Sequence, residues 1–123
     1  MEVLWLAAQR DDPELYGPEV HLFHHASSVR VAFRLSLWEL FHAPDYATAV
    51  IDVINRGGDT STNAAVTGAL FGARFGESSI PQEWREVVLE ALQYSGGPLW
   101  NVYHPRYLLN LVGVTPGAAP EEE

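Results

Sequence analysis

Gly57-Gly58-Asp59-Thr60-Ser61-Thr62-Asn63-Ala64-Ala65 decides how the rest of this 123-residue chain reads. It comes after an apolar run (Ala49, Val50, Ile51, Val53, Ile54) and opens a run of small residues from Ala64 to Gly76. Two glycines, a carboxylate, hydroxyls and then Ala and Gly describe a tight turn feeding a helix N-terminus. Gly57 and Gly58 take backbone angles closed to other residues. Asp59 can cap the helix, accepting a free N–H, and its charge suits the positive end of the helix dipole. Ser61 and Thr62 put further oxygens into the same first turn. Two readings stand at this point: an ordinary turn and cap, or an oxygen-rich ligand set for a hard cation.

Spacing removes three other readings. A P-loop needs Lys after its glycines, and this chain has none there. An EF-hand loop starting at Asp59 needs Gly at its sixth position and Glu at its twelfth, where this chain has Ala64 and Leu70. A dinucleotide fingerprint needs a βαβ context, and no stretch of the chain alternates like a strand.

Outward from the turn, the periodicity is helical. The turn itself opens a helix from Asp59 to Gly76, with Ala64, Gly68, Gly72 and Gly76 spaced by four and Ala65, Ala69 and Ala73 beside them. Such a bare side predicts close approach by neighbouring helices, which offsets the cost of interior glycine. Before the turn, Asp45 to Asn55 reads as a helix burying Tyr46, Ala49, Val50 and Val53. Arg56 at its end is placed either to approach a phosphate or to pair with a nearby acid. Ser27 to Ala43 reads as a longer helix capped by Ser27, with Val29, Phe33, Leu37, Leu40 and Phe41 as its stripe; Val31, Leu35 and Trp38 widen it. Pro44 ends it. Glu39 and Asp52 are read as solvated carboxylates, and His42 as structural. After the turn, Pro81 starts a fourth helix with Trp84, Val87, Val88, Ala91 and Leu92 on its inner face, closed by Ser95-Gly96-Gly97-Pro98. Leu99 and Trp100 anchor the chain beyond that stop, and 107–112 form a short helix or extended piece. Residues 1–25 read as a loosely ordered arm or short helix, 26–112 as one helical domain, and 113–123 as a disordered acidic tail. In the arm, His21, His24 and His25 have a spacing that can hold a metal if helical, but capping or solvated histidines are the simpler reading. The fold class is all-α, a compact helical bundle.

Composition excludes several functions. A net charge of -9 argues against nucleic acid or an anionic membrane as partner. The absence of cysteine excludes disulfides and thiol chemistry and is consistent with a cytoplasmic setting. The apolar piece from Val3 to Ala8 is too short to span a membrane.

The stretch from Gly57 to Ala73, with Gly76, Ile80-Pro81, Trp84 and the helix around Val31 to Leu40, resembles the C-terminal signature of the ADP-ribosylglycohydrolase family, which includes the dinitrogen-reductase-activating hydrolases. The resemblance implies the C-terminal part of an all-helical hydrolase. It implies a two-metal site of Mg2+ or Mn2+ that positions the ribose of an ADP-ribosyl group while water cleaves its bond to a protein or small molecule. Asp59 and Thr62 match metal-ligand positions of that family, and Ser61 stands where the pattern Gly-Gly-Asp-x-Asp-Thr has its second Asp. Gly57 and Gly58 fall at substrate-binding positions. No residue matches a catalytic acid or base. The family's N-terminal motifs, Gly-Asp-x-x-Gly and Thr-Asp-Asp-Thr, have no counterpart in this sequence. The resemblance therefore implies ADP-ribosylated substrate or ADP-ribose as ligand, but a chain that alone is weak or inactive, and that is complemented by another chain or self-associates. The alternative is a non-catalytic helical binding module.

Overall fold

The computed structural model describes residues 2–91 and 104–105. Among the described residues, five α-helices succeed one another up to residue 91: α1 (Glu2–Gln9), α2 (Val29–His42), α3 (Tyr46–Arg56), α4 (Thr60–Phe75) and α5 (Gln82–Glu90). A 3-10 turn, Glu77–Ser79, separates the last two. Among the described residues there is no strand, only an isolated bridge between Tyr16 and His21. The chain is all-α. It divides into two compact units, one up to Ile80 and one from Pro81 onward.

Local chemistry sets the helix ends. Asp45 caps α3, its Oδ1 accepting from the Thr48 N–H at 2.8 Å. Asp59 caps α4, and Gly76, at φ 81, closes it. For α2 the cap is Ser28 and not Ser27: Ser28 Oγ accepts from the Arg30 N–H at 3.3 Å. The shift arises because the preceding residues are already folded into a turn, with His25 N–H donating to the His21 carbonyl and Ser28 N–H to the His25 carbonyl.

Within the first unit α4 is the centre, and α2 and α3 both pack along it. Ser36 meets Thr67, and Arg74 donates to the Leu40 carbonyl farther along each helix, so α2 and α4 run in the same sense. The core joins Leu15, Val20 and Leu22 to Val31 and Leu35 of α2 and Val53 of α3, with Ala64 packed against them. The opening segment read as an arm thus supplies three core side chains. The end of α1 is tied to α2: Trp38 Nε1–H donates to the Arg10 carbonyl at 2.8 Å, and His42 Nε2 lies 2.8 Å from the Ala7 carbonyl.

Two expectations about faces need correction. The stripe chosen for α2 points largely outward: Val29 is 78% exposed, and Phe33 and Phe41 are about half exposed. The buried face carries Val31, Ala32, Leu35, Ser36, Leu37 and Glu39. This helix has apolar residues on two sides, and only the position of Leu15 to Leu22 and α4 chooses between them. On α4 the buried residues are Asn63, Thr67 and Phe71, themselves spaced by four. The small-residue side does allow close approach at Gly68, where an added Cβ would lie 2.8 Å from the Tyr46 hydroxyl, but at Gly72 it would meet nothing within 4 Å among the described residues.

The second unit begins with α5, which Pro81 introduces. Trp84 and Leu89 are half buried there, while Val87 and Val88 of the expected inner face are exposed. The helix ends at Glu90, ahead of the expected stop. Leu92, the stop at 95–98, the anchor Leu99-Trp100, the piece 107–112 and the tail 113–123 lie outside the described residues.

Candidate functional site

The turn between α3 and α4 has a shape that needs both of its glycines. Gly57 has φ 86 and Gly58 φ 70, a region that side chains with Cβ avoid. Space forbids a side chain at Gly58 as well and is tight at Gly57. A Cβ on Gly58 would lie 2.6 Å from the Leu22 carbonyl oxygen and 2.9 Å from Leu22 Cδ1, and one on Gly57 would lie 3.2 Å from the Phe23 ring. The segment Leu22-Phe23 therefore lies directly on the turn. Periodicity gives no sign of this contact, because its partners belong to different elements.

The same turn brings Asp59, Ser61 and Thr62 together. Asp59 Oδ1 accepts from the Thr62 N–H at 3.3 Å and from the Ser61 hydroxyl at 3.2 Å. The Thr62 hydroxyl, the Thr62 N–H and, more weakly, the hydroxyls of Ser61 and Ser27 hold the carboxyl below its ordinary value of 3.8, against the opposing effect of burial. Asp59 is thus ionised at neutral pH. Ser61 and Thr62 are exposed. One carboxylate and two hydroxyls fit a hard cation as part of its shell, because such an ion takes about six oxygens and readily keeps water among them. Among the described residues, no three His, Asp or Glu side chains converge to hold a metal.

The histidines do different work. His21 Nδ1 accepts from the N–H groups of Phe23 (3.2 Å) and His24 (3.3 Å), and its ring stacks on that of His24 at 4.0 Å. Burial, then the neighbouring His24 and His25, hold His21 below its ordinary value of 6.5, as an accepting nitrogen requires. It is a capping histidine of the turn that carries Leu22 and Phe23. His42 is structural too, stacked on Trp38 at 4.5 Å.

A second polar cluster lies on α2 and α3, and it corrects the reading of Glu39 as solvated. Glu39 is 1% exposed, and its Oε1 has no hydrogen-bond partner among the described residues. Burial, then a hydrogen bond and repulsion involving Asp52, pushes its carboxyl up to about 8, although Arg56 opposes the rise. Arg56 is ion-paired with Asp52, and its Nε stands 3.8 Å from Glu39 Oε1. Its guanidinium also lies 5.0 Å from the centre of the Trp38 ring. Of the two roles open to Arg56, pairing with an acid is the one observed. Burial also acts against Asp52, but bonds from Glu39 and Arg56 outweigh it and keep that carboxyl below its ordinary range. The sequence did hold a signal for Glu39: Val31, Leu35 and Glu39 are spaced by four and share one face.

A cleft between α1 and α2, lined by Val3, Ala7, Arg10, Arg34 and Trp38 among others, holds about 30 Å³, too little for a ribose.

The profile of the ADP-ribosylglycohydrolase family matches residues 2–111 of this chain. A protein of Acanthamoeba polyphaga mimivirus, named as an ADP-ribosyl glycohydrolase, is 38% identical over 73 residues, covering 54% of this chain. The match covers 22% of that relative's own length. No solved structure matches the chain significantly.

Proposed function

The chain belongs to the ADP-ribosylglycohydrolase family, and from that premise we propose that its Gly57–Thr62 turn forms one side of a Mg2+ or Mn2+ site serving hydrolysis of ADP-ribose from a protein or small molecule. The observation that supports this most is the ionised, part-exposed Asp59 carboxylate, flanked by the exposed Ser61 and Thr62. A bound divalent ion would supply Lewis acidity and orient the hydroxyls of the ribose. Asp59 contributes the anionic oxygen, and Thr62 and Ser61 contribute neutral ones. Leu22, packed on Gly58, would brace the turn that presents these oxygens.

Ser61 limits the site. A hydroxyl is a weaker ligand for a hard cation than the carboxylate of the family pattern. We therefore assign this chain alone weak or no turnover, with the remaining ligands supplied by a complementing segment or chain. No described helix is long and apolar enough to cross a membrane, and a cytoplasmic site of action belongs to the same proposal.

Calorimetric titration with manganese tests this reading on the parent, Asp59→Asn and Ser61→Asp. The parent is expected to bind weakly, Asp59→Asn not at all, and Ser61→Asp more tightly. Absence of heat from all three would remove the metal site.

A second reading has its own observation. Val29, Phe33 and Phe41 on α2 and Ile51 and Ile54 on α3 are exposed. They favour a non-catalytic module that associates with itself or a partner. Sedimentation at increasing concentration tests the self-association: a mass that rises with concentration supports it, and a monomer throughout removes it and leaves a different partner.

A further inference from the structure

We propose that Glu39, Asp52 and Arg56 form a pH-sensitive latch between α2 and α3, closed while Glu39 keeps its proton and released when that proton is lost. The metal reading of Asp59 plays no part in it. Fully ionised, the cluster does not balance: Glu39 is 1% exposed, and Asp52 and Arg56 face it from α3, so two carboxyls share one guanidinium. From α4 the buried side chains are Asn63, Thr67 and Phe71, none of which titrates, and the charged group is Arg74, whose guanidinium is engaged by the Leu40 carbonyl. On α2 itself the nearest titratable group, His42, is turned toward the Ala7 carbonyl of α1. Among the described ion pairs, Arg56 is the one cation within reach of the two carboxyls.

With Glu39 protonated, the cluster is neutral: one carboxylate on Asp52 and one guanidinium on Arg56. When Glu39 loses its proton to solvent, a buried carboxylate remains with its Oε1 unbonded and 3.8 Å from a guanidinium already engaged by Asp52. Burial of a second charge is costly unless it is paired. Relief comes from drawing α3 away from α2, which is the lighter of the contacts α3 makes, since its main packing is on α4. Arg56 is the last residue of α3, directly before Gly57, so the loosened part is the turn that leads to Asp59. The raised value of about 8 puts the release on the alkaline side of neutrality.

Thermal unfolding of the full chain and of Glu39→Gln from pH 6 to 9, with amide exchange across Val53 to Asp59, tests the latch. The parent is expected to lose about 5 °C or more over that range, and its exchange, corrected for the intrinsic rate, to quicken at the end of α3. Glu39→Gln keeps a neutral side chain and is expected to show a flatter melting curve and unchanged exchange. Parallel curves would overturn the proposal. Should the variant not fold, carbon-detected titration of the Glu39 carboxyl in the parent decides: a midpoint near 8 supports the latch, and one in the ordinary glutamate range ends it.

Discussion

The Leu22 carbonyl oxygen occupies the space that a side chain on Gly58 would need, 2.6 Å from the position of its Cβ. Residue 58 is thus glycine for two reasons, its φ of 70 and its neighbour. Gly58→Ala is expected to lower stability by roughly 1–3 kcal/mol, as backbone strain and contact add. Gly72→Ala is the contrasting case. That glycine is inside α4, and a Cβ there would meet nothing within 4 Å among the described residues, so alanine is expected to raise stability by about 0.5–1 kcal/mol. Denaturant unfolding of both variants checks the pair.

Leu22 is fully buried, so Leu22→Ala should cost about 2–5 kcal/mol. If it also braces the turn, manganese affinity should fall even where the variant is fully folded. An affinity equal to the parent's under those conditions would limit Leu22 to a core role.

Asn63 is 1% exposed, and neither atom of its amide has a partner among the described residues. Ser36 and Thr67, at the α2–α4 contact, do have partners: their hydroxyls are 3.0 Å apart, and Ser36 also donates to the Ala32 carbonyl. Asn63→Leu removes the unpaired groups, so stability is expected to rise by roughly 1–2 kcal/mol. Thr67→Val removes one end of a bond and is expected to cost about 1 kcal/mol. Shifts in melting temperature of opposite sign are the expected result.

Stability should peak in mildly acidic solution. Asp45 and Asp59 have carboxyls held below 3.8 by their capping bonds, so their contribution is present above that value and lost as pH falls through the lowered one. Glu39 acts in the other direction. Raised from 4.5 to about 8, it binds its proton more tightly in the folded chain, so its contribution is full below 4.5 and declines until about 8. The maximum is expected between those two ordinary values, at about pH 4. In Glu39→Gln it should broaden toward neutrality, with a gain at pH 7 on the order of a few kcal/mol. Circular dichroism melts at unit pH steps test both limbs.

The features legible in the sequence are local ones. Pro44, Asp45, the glycine pair, Asp59 and Gly76 act on their own backbone neighbours, and the ends of α3 and α4 result from them. The grouping of Asp59, Ser61 and Thr62 is of the same kind, because three residues of one turn cannot be far apart. The features that are not legible depend on partners distant in the chain. The face α2 buries is chosen by the Leu15 to Leu22 segment and by α4. Glu39 titrates abnormally because the fold buries it and α3 brings Asp52 and Arg56 against it, although its spacing from Val31 and Leu35 already placed it inside. Asn63 and Thr67 look like surface residues in composition, and only the fold makes them interior.

The seating of Leu22 on Gly58 also bears on biosynthesis. The two are 36 residues apart, so at synthesis rates of about 5–20 residues per second Leu22 is made roughly 2–7 seconds before the glycine that receives it. During that interval Leu15, Val20 and Leu22 have no complete α3 or α4 to cover them. Closure of this core must therefore wait for the synthesis of α3 and α4, so its first-made and last-made parts meet only when most of the first unit exists.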